Sequence, residues 1–220
     1  MTGAMTATVQ NQQNTAVKKG RGRPRIYSDD ARRKAIIAEA HKTFIELGYR
    51  GTTTDIVAAR CHVSKQTIYS VFPTKADLFR AVVADHRQMM LALPRPEGES
   101  RGFAEVVKEI FMIDLDESAE RERTAFVTFV MRESVQFPEL EDVLREEGIA
   151  QSRLMLSQWL EGQKELGNIV IDDALSAAQM LMDMIFGGMA PANQGWASRA
   201  QRREHFERVI EIFARGIGAR

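Results

Sequence analysis

Apolar and polar positions alternate with a helical period along nearly the whole chain. Ile36, Ile37, Ala40, Phe44 and Leu47 recur at steps of three and four, predicting a helix that Ser28-Asp29-Asp30 opens and Gly48 ends. Two short helices follow within 53–72, TTDIVAARCHVSKQTIYSVF. Thr53 or Thr54 caps the first, Asp55 lies in its first turn, and Ile56 and Ala59 share an inward face with Val63. Ser64 caps the second, Lys65 to Val71, before Pro73 stops it. Thr74-Lys75-Ala76-Asp77 starts a fourth helix that carries Leu78, Phe79, Val82 and Val83, and Pro94 and Pro96 close this region.

Beyond residue 100 the period predicts helices near 102–116, 119–136, 138–165, 173–190 and 201–217. Breaks fall at Pro138, Gly148, Gly167-Asn168, Asp172-Asp173 and around Pro191 to Gly195. Segment 169–171 is β-branched but too short to imply a sheet. The expected fold class is all-α. The chain divides into an arm over 1–27, a small helical head over 28–90 with its helix-turn-helix at 53–72, and a larger helical body over 91–220.

The second helix of the pair has an unusual surface. Lys65, Gln66, Thr67, Tyr69 and Ser70 leave Ile68 as its main buried anchor. Such a helix suits a DNA major groove, which is wide enough to admit one, better than a protein core. Charge supports this. The 220 residues carry 30 Lys and Arg against 30 Asp and Glu, yet residues 1–87 hold 15 against 7 and residues 88–220 hold 15 against 23. A basic first third points to a polyanion partner. The arm holds a dense run, KKGRGRPR at 18–25. Arg21 and Arg23, within RGRP, match the core of an AT-hook and suit a narrow A·T-rich minor groove; the other reading is a disordered basic tail adding non-specific attraction.

Other classes find little support. No run of 18 apolar residues predicts a membrane span, and the polar first 17 residues lack the apolar stretch of a secretory signal. A lone cysteine, Cys61, builds no disulfide framework and suits a reducing cytoplasm. His41, His62, His86 and His205 lack the spacing of a zinc site, and Cys61 reads as a small buried thiol. No nucleophile set, carboxylate pair or phosphate-cradling glycine loop stands out, so neither catalytic residues nor a cofactor are expected.

Phe44, Gly48, Tyr49, Thr52, Thr53 and Ile56 form the series F-x-x-x-G-Y-x-x-T-T-x-x-I. It continues through V-S-K-x-T-I-Y at Val63 to Tyr69, then Phe72, and T-K-x-x-L at Thr74 to Leu78. Over Asp30 to Ala84 the chain resembles the tetracycline-repressor (TetR) family of bacterial transcription regulators. Phe137-Pro138-Glu139-Leu140, Gly148 and Asp172-Asp173 resemble C-terminal regions of its AefR-like group. The resemblance implies a homodimer with a three-helix DNA-binding head and a body that binds a small inducer and dimerises through its last two helices. It implies a regulator, commonly a repressor, that an effector releases from a palindromic operator; the Met and Phe content of the body suits a lipophilic one. The family has Ala-Gly in the turn where this chain has Cys61-His62, at a position that favours left-handed backbone. An architectural A·T-binding protein acting through the RGRP arm is the alternative.

These readings nominate residues. Lys65, Gln66 and Thr67 occupy the first turn of the recognition helix, where side chains reach base edges, with Ser64 and Ser70 flanking them. Tyr69 packs against Ile56 while, by the resemblance, its hydroxyl reaches a phosphate. Thr53 and Lys75 lie at helix N-termini, where free N–H groups favour an anion, although Lys75 also reads as a solvated charge. In the body, Phe103, Phe111, Met112, Phe126, Phe129, Met131, Phe137, Met155 and Trp159 are candidate walls of a ligand pocket or plain core, and Arg132 with Glu133 either orients a polar ligand end or faces water. Met180, Leu181, Met184, Ile185 and Met189 form one late stripe and Phe206, Val209, Ile210, Phe213 and Ile217 another, either for a partner subunit or for the chain's own core.

Overall fold

The computed structural model describes residues 29–96, 98–189, 196 and 198–219, and among them all regular structure is helical. Ser28, Arg21 and Arg23 lie outside the described residues. The elements are α1 (Asp29–Gly51), α2 (Thr54–Arg60), α3 (Lys65–Val71), α4 (Lys75–Met90), α5 (Phe103–Ile110), α6 (Glu117–Glu133) and α7 (Glu139–Val143). A π-helical turn (Leu144–Ala150) leads directly into α8 (Gln151–Glu165), and α9 (Ala174–Met189) and α10 (Arg199–Gly216) complete the body.

Side-chain caps fix most of the starts. Thr53 accepts from the N–H of Ile56, Ser64 from Thr67, Asp116 from Ala119 and Ser198 from Gln201. Thr74 and Asp77 satisfy one another's backbone N–H groups in a capping box. The turn from α2 to α3 is a Schellman motif: Val63 N–H reaches Ala58 O at 3.0 Å, His62 N–H reaches Ala59 O at 3.1 Å, and His62 takes φ 55°. The left-handed conformation expected at this position is therefore occupied by histidine. α5 ends the same way through Met112, φ 49°, so it stops at Ile110 rather than running to 116. Gly148 does not break the helix as expected; the chain widens through it in the π turn and continues. Val83 of α4 lies against this glycine, where a Cβ would come to 3.5 Å from its Cγ1.

The inward faces differ from the sequence reading in two places. On α2, Thr54, Val57 and Ala58 are buried, whereas Ala59 is exposed and Ile56 half-buried. The three buried positions share the i, i+3, i+4 face that α1 and α3 cover. Leu47 is exposed because Phe44 and Tyr49 close the core at that end of α1.

Two apolar cores result. One holds Ile36, Ala40 and Phe44 of α1, Val57, Ile68 and Phe72 of the helix pair, and Leu78, Phe79, Val82 and Val83 of α4; it also takes in Phe126, Phe129 and Val130 of α6, Leu140 and Val143. The second lies among α5, α8, α9 and α10. A carboxylate joins head to body: Glu133, on α6, accepts from Tyr49 N–H at 2.9 Å. It reaches that group because Gly48 turns the chain with φ 73° and ψ 169°, and a Cβ there would stand 3.2 Å from the same oxygen. Gly48→Ala forces a conformation nearly confined to glycine and crowds Glu133; it lowers stability by about 1–3 kcal/mol, measurable as a reduced urea midpoint.

Candidate functional site

α3 is held from one side only. Ile68 is its single buried residue, fully enclosed, while Ser64, Lys65, Gln66, Tyr69 and Ser70 are exposed and Thr67 is half-buried. Two contacts tie its outer face to the first turn of α2. The Lys65 ammonium donates to Asp55 at 2.6 Å, which raises its pKa, and the Tyr69 oxygen accepts from the Thr54 hydroxyl at 2.9 Å. Tyr69 thus keeps its own phenolic proton to donate outward. It reaches α2 through Thr54, two residues from Ile56 and on another face of the helix. Ser64 and Thr67 hydroxyls lie 2.8 Å apart, and Ser70 donates to Thr67 O at 2.8 Å, so these three stiffen the helix. Gln66 projects from the middle of this exposed surface.

Thr53 caps α2 from an exposed position. Lys75 is less free than its place at a helix N-terminus implies. Its ammonium donates to Tyr49 O at 2.9 Å and lies 4.1 Å from the centre of the Tyr49 ring, and burial lowers its pKa. α1 and α2 are locked by Arg60, which reaches Glu46 at 2.7 Å and the Thr43 hydroxyl at 3.2 Å. Cys61 is half-buried, and burial raises the pKa of its thiol.

The body contains a largely apolar cavity of about 410 Å³. Val83, His86, Arg87 and Met90 of α4 form one wall, and Arg123, Val127 and Met131 of α6 another. Leu144 and Gly148 of the π turn and Met182, Asp183 and Phe186 of α9 complete it. Of the nominated pocket residues Met131 lines it and the others do not. Phe111 and Phe126 are fully buried as core, because their rings pack on Phe186 and on Phe79 and His86. Phe129 and Arg132 border a separate open groove rich in charged groups, where the Arg132 side chain is exposed. Met155 and Trp159 line another cavity, beneath the segment from Leu93 to Glu99. The Glu133 side chain, 19% exposed, is engaged with Tyr49 N–H just after the Gly48 turn.

His86 is the residue that sequence reasoning missed. It is 3% exposed, and its ring lies 4.6 Å from Phe126 and 5.6 Å from His41. A signal was present: His86 follows Phe79 and Val83 at helical spacing on the apolar face of α4. Arg123 likewise shares the face of Phe126 and Val130 and is 3% exposed. It donates to Phe111 O at 3.2 Å, with Glu120 at 3.9 Å.

A helix pair presenting a polar helix, carried on an all-helical body, is the architecture of a bacterial regulator. The family profile for bacterial regulatory proteins of the tetR family matches residues 36–82, and that of the AefR-like transcriptional repressor C-terminal domain matches residues 105–216. The chain belongs to the TetR family of transcriptional regulators, with an AefR-like C-terminal region, and members of this family are regulators rather than enzymes. YhgD of Bacillus subtilis, an HTH-type transcriptional regulator, is 46% identical over 48 residues, 22% of this chain and 25% of YhgD. The transcriptional activator FasR of Mycolicibacterium smegmatis is 35% identical over 81 residues, 33% of this chain and 36% of FasR. The chain therefore spans well under two thirds of either relative. UidR of Escherichia coli K12 is 23% identical over 159 residues, 72% of this chain and 80% of UidR. Among solved structures, a TetR-family regulator from Mesorhizobium loti superposes with a TM-score of 0.62 at 21% identity, covering 86% of this chain and 98% of that one. Salmonella enterica GusR also gives 0.62, at 19% identity, covering 88% and 99%. These two share the fold.

Burial, and after it the His41 ring, push the His86 pKa from 6.5 to about 3. The unfolded chain returns the group to about 6.5, so between the two values the unfolded state binds the extra proton and acid favours unfolding. Stability falls from about pH 7 toward pH 4, by up to about 1.4 kcal/mol per pH unit from this group. In His86→Leu the Tm, followed by circular dichroism, depends less steeply on pH over that range.

Proposed function

We propose that the protein acts as a homodimer that binds a roughly palindromic operator and represses transcription until a small, largely apolar effector enters the body. The observation that carries the reading is α3: one buried anchor, Ile68, and a polar surface built of Lys65, Gln66, Tyr69 and Ser70. In a major groove Lys65 donates to a guanine edge, Gln66 pairs with an adenine, and the Thr67 methyl touches a thymine. Tyr69, Thr53 and Lys75 serve the phosphates on either side. Two such helices related by a twofold axis need a separation of about 34–36 Å to enter successive grooves. The description of AefR-like C-terminal domains as repressors supports the sign of regulation.

The apolar cavity supports the effector. Its α4 wall belongs to the helix that joins head to body, so a ligand that prefers one position of α4 shifts the spacing of the heads. The late stripes support the dimer in a revised form. Leu181, Ile185, Phe206, Ile210 and Phe213 are buried within the chain, whereas Met180 and Met184 on α9 and Ile212 on α10 are exposed. The Met189 side chain lies outside the described residues. We assign the exposed set to the partner subunit.

Operator fragments recovered by genome-wide footprinting give the test. Lys65→Ala and Gln66→Ala each weaken binding to such a fragment by about 10–100-fold with an unchanged Tm, and weaken binding to random duplex less. Operator affinity equal to wild type in the double variant defeats the assignment. Met180→Glu with Met184→Glu yields a monomer by sedimentation and loses operator binding; a dimer of unchanged affinity defeats the interface.

A further inference from the structure

We infer that the cavity walled by α4, α6, the π turn and α9 takes an uncharged, largely apolar ligand bearing a hydroxyl group, and that this hydroxyl hydrogen-bonds His86. The inference rests on reading this cavity as the effector site, and it adds the chemical class of the occupant.

His86 borders the cavity and is 3% exposed; neither ring nitrogen makes a hydrogen bond of ordinary geometry among the described residues, and the ring's one polar contact is a weak one with the Arg123 backbone. The ring is held by its faces: Phe126 lies at 4.6 Å and His41 at 5.6 Å, the latter nearly parallel at 18°. At least one nitrogen is therefore not spent on holding the fold. A neutral imidazole offers one donor and one acceptor, and each left unpaired in a dry site costs about 1–3 kcal/mol. A hydroxyl both donates and accepts, so it serves whichever nitrogen faces it. Val83, Met90, Val127, Met131 and Phe186 leave the remainder of the ligand an apolar surface.

The charged groups around the cavity argue against a charged ligand. The Arg123 guanidinium donates to Phe111 O and lies beside Glu120, and Arg87 donates to Glu147 O. A carboxylate would compete with Glu120 for Arg123 and would meet Asp183, which itself accepts from Gln179 at 2.6 Å. An ammonium would meet both guanidiniums. Burial and the His41 ring keep His86 neutral, so it supplies no counter-ion.

The test uses the full chain and three matched compounds: para-phenylphenol, biphenyl and biphenyl para-carboxylate. Calorimetry measures binding, and ring-nitrogen NMR shifts of His86 report on contact. The phenol binds about tenfold more tightly than biphenyl, the carboxylate binds weakest, and the His86 shifts move with the phenol but not with biphenyl. His86→Leu removes the preference for the phenol, while His86→Gln, which retains a donor and an acceptor, keeps part of it. Equal affinity for phenol and biphenyl, a carboxylate that binds tightest, or no binding of any of the three overturns the inference. Operator release is measured separately. Binding in the expected order without release upholds the ligand class and defeats the effector reading instead.

Discussion

The head of this protein does not enclose its core alone. Phe44 of α1 packs edge-on against Phe79 of α4 at 5.3 Å, and Phe126 of α6 lies 6.2 Å from Phe79 in the same buried cluster. The apolar surface of Phe126, Phe129 and Val130 is removed from water only while α6 lies against α1 and α4. The position of α1, which carries α2 and through it α3, is thus set by a body helix as well as by its neighbours. Any rearrangement of α6 or α4 must either carry the head with it or expose aromatic surface. This constraint makes a cavity between α4 and α6 relevant to the position of a helix on the far side of the head.

The electrostatic arrangement is local. The basic excess of the first third is a property of the surface, but the side chains that matter most are already paired. Lys65 is held by Asp55, Arg60 by Glu46 and Lys75 by the Tyr49 carbonyl. An exposed pair such as Lys65 with Asp55 adds little stability. It does restrict a long side chain, which in the proposed DNA contact leaves less rotamer freedom to be lost. Exchanging the Asp55 partner for a base edge also makes recognition an exchange of one charge-assisted hydrogen bond for another, which favours discrimination over raw affinity.

The head was legible in the sequence because its signals are short-ranged. Ser64, Thr53 and Thr74 announce helix starts through caps that reach only three residues, and His62 occupies the left-handed turn foreseen for it. The recognition surface followed from Ile68 being the one apolar anchor in a polar helix. The cavity was not legible, since its walls come from α4, α6, the π turn and α9, which are far apart in sequence. Phe and Met content says that a residue is buried, not whether it faces a neighbour or a void; Phe111 and Phe126 show the difference. Gly148 was misread as a break because a glycine that ends a helix and one that lets another helix approach closely look alike in one sequence. His86 and Arg123 were the visible exceptions, polar residues at apolar positions of their helices.

The clasp between Glu133 and the Tyr49 N–H spans 84 residues. On the ribosome, α1 to α4 emerge long before α6, so the end of α1 is completed by a residue that does not yet exist outside the exit tunnel. The nascent head must wait, with Phe44 and Phe79 incompletely covered, for its lid to be synthesised. Long-range closure of this kind slows folding and leaves apolar surface open in the interval. The order of translation thus delays rigidity of the DNA-reading head until α6 has followed it.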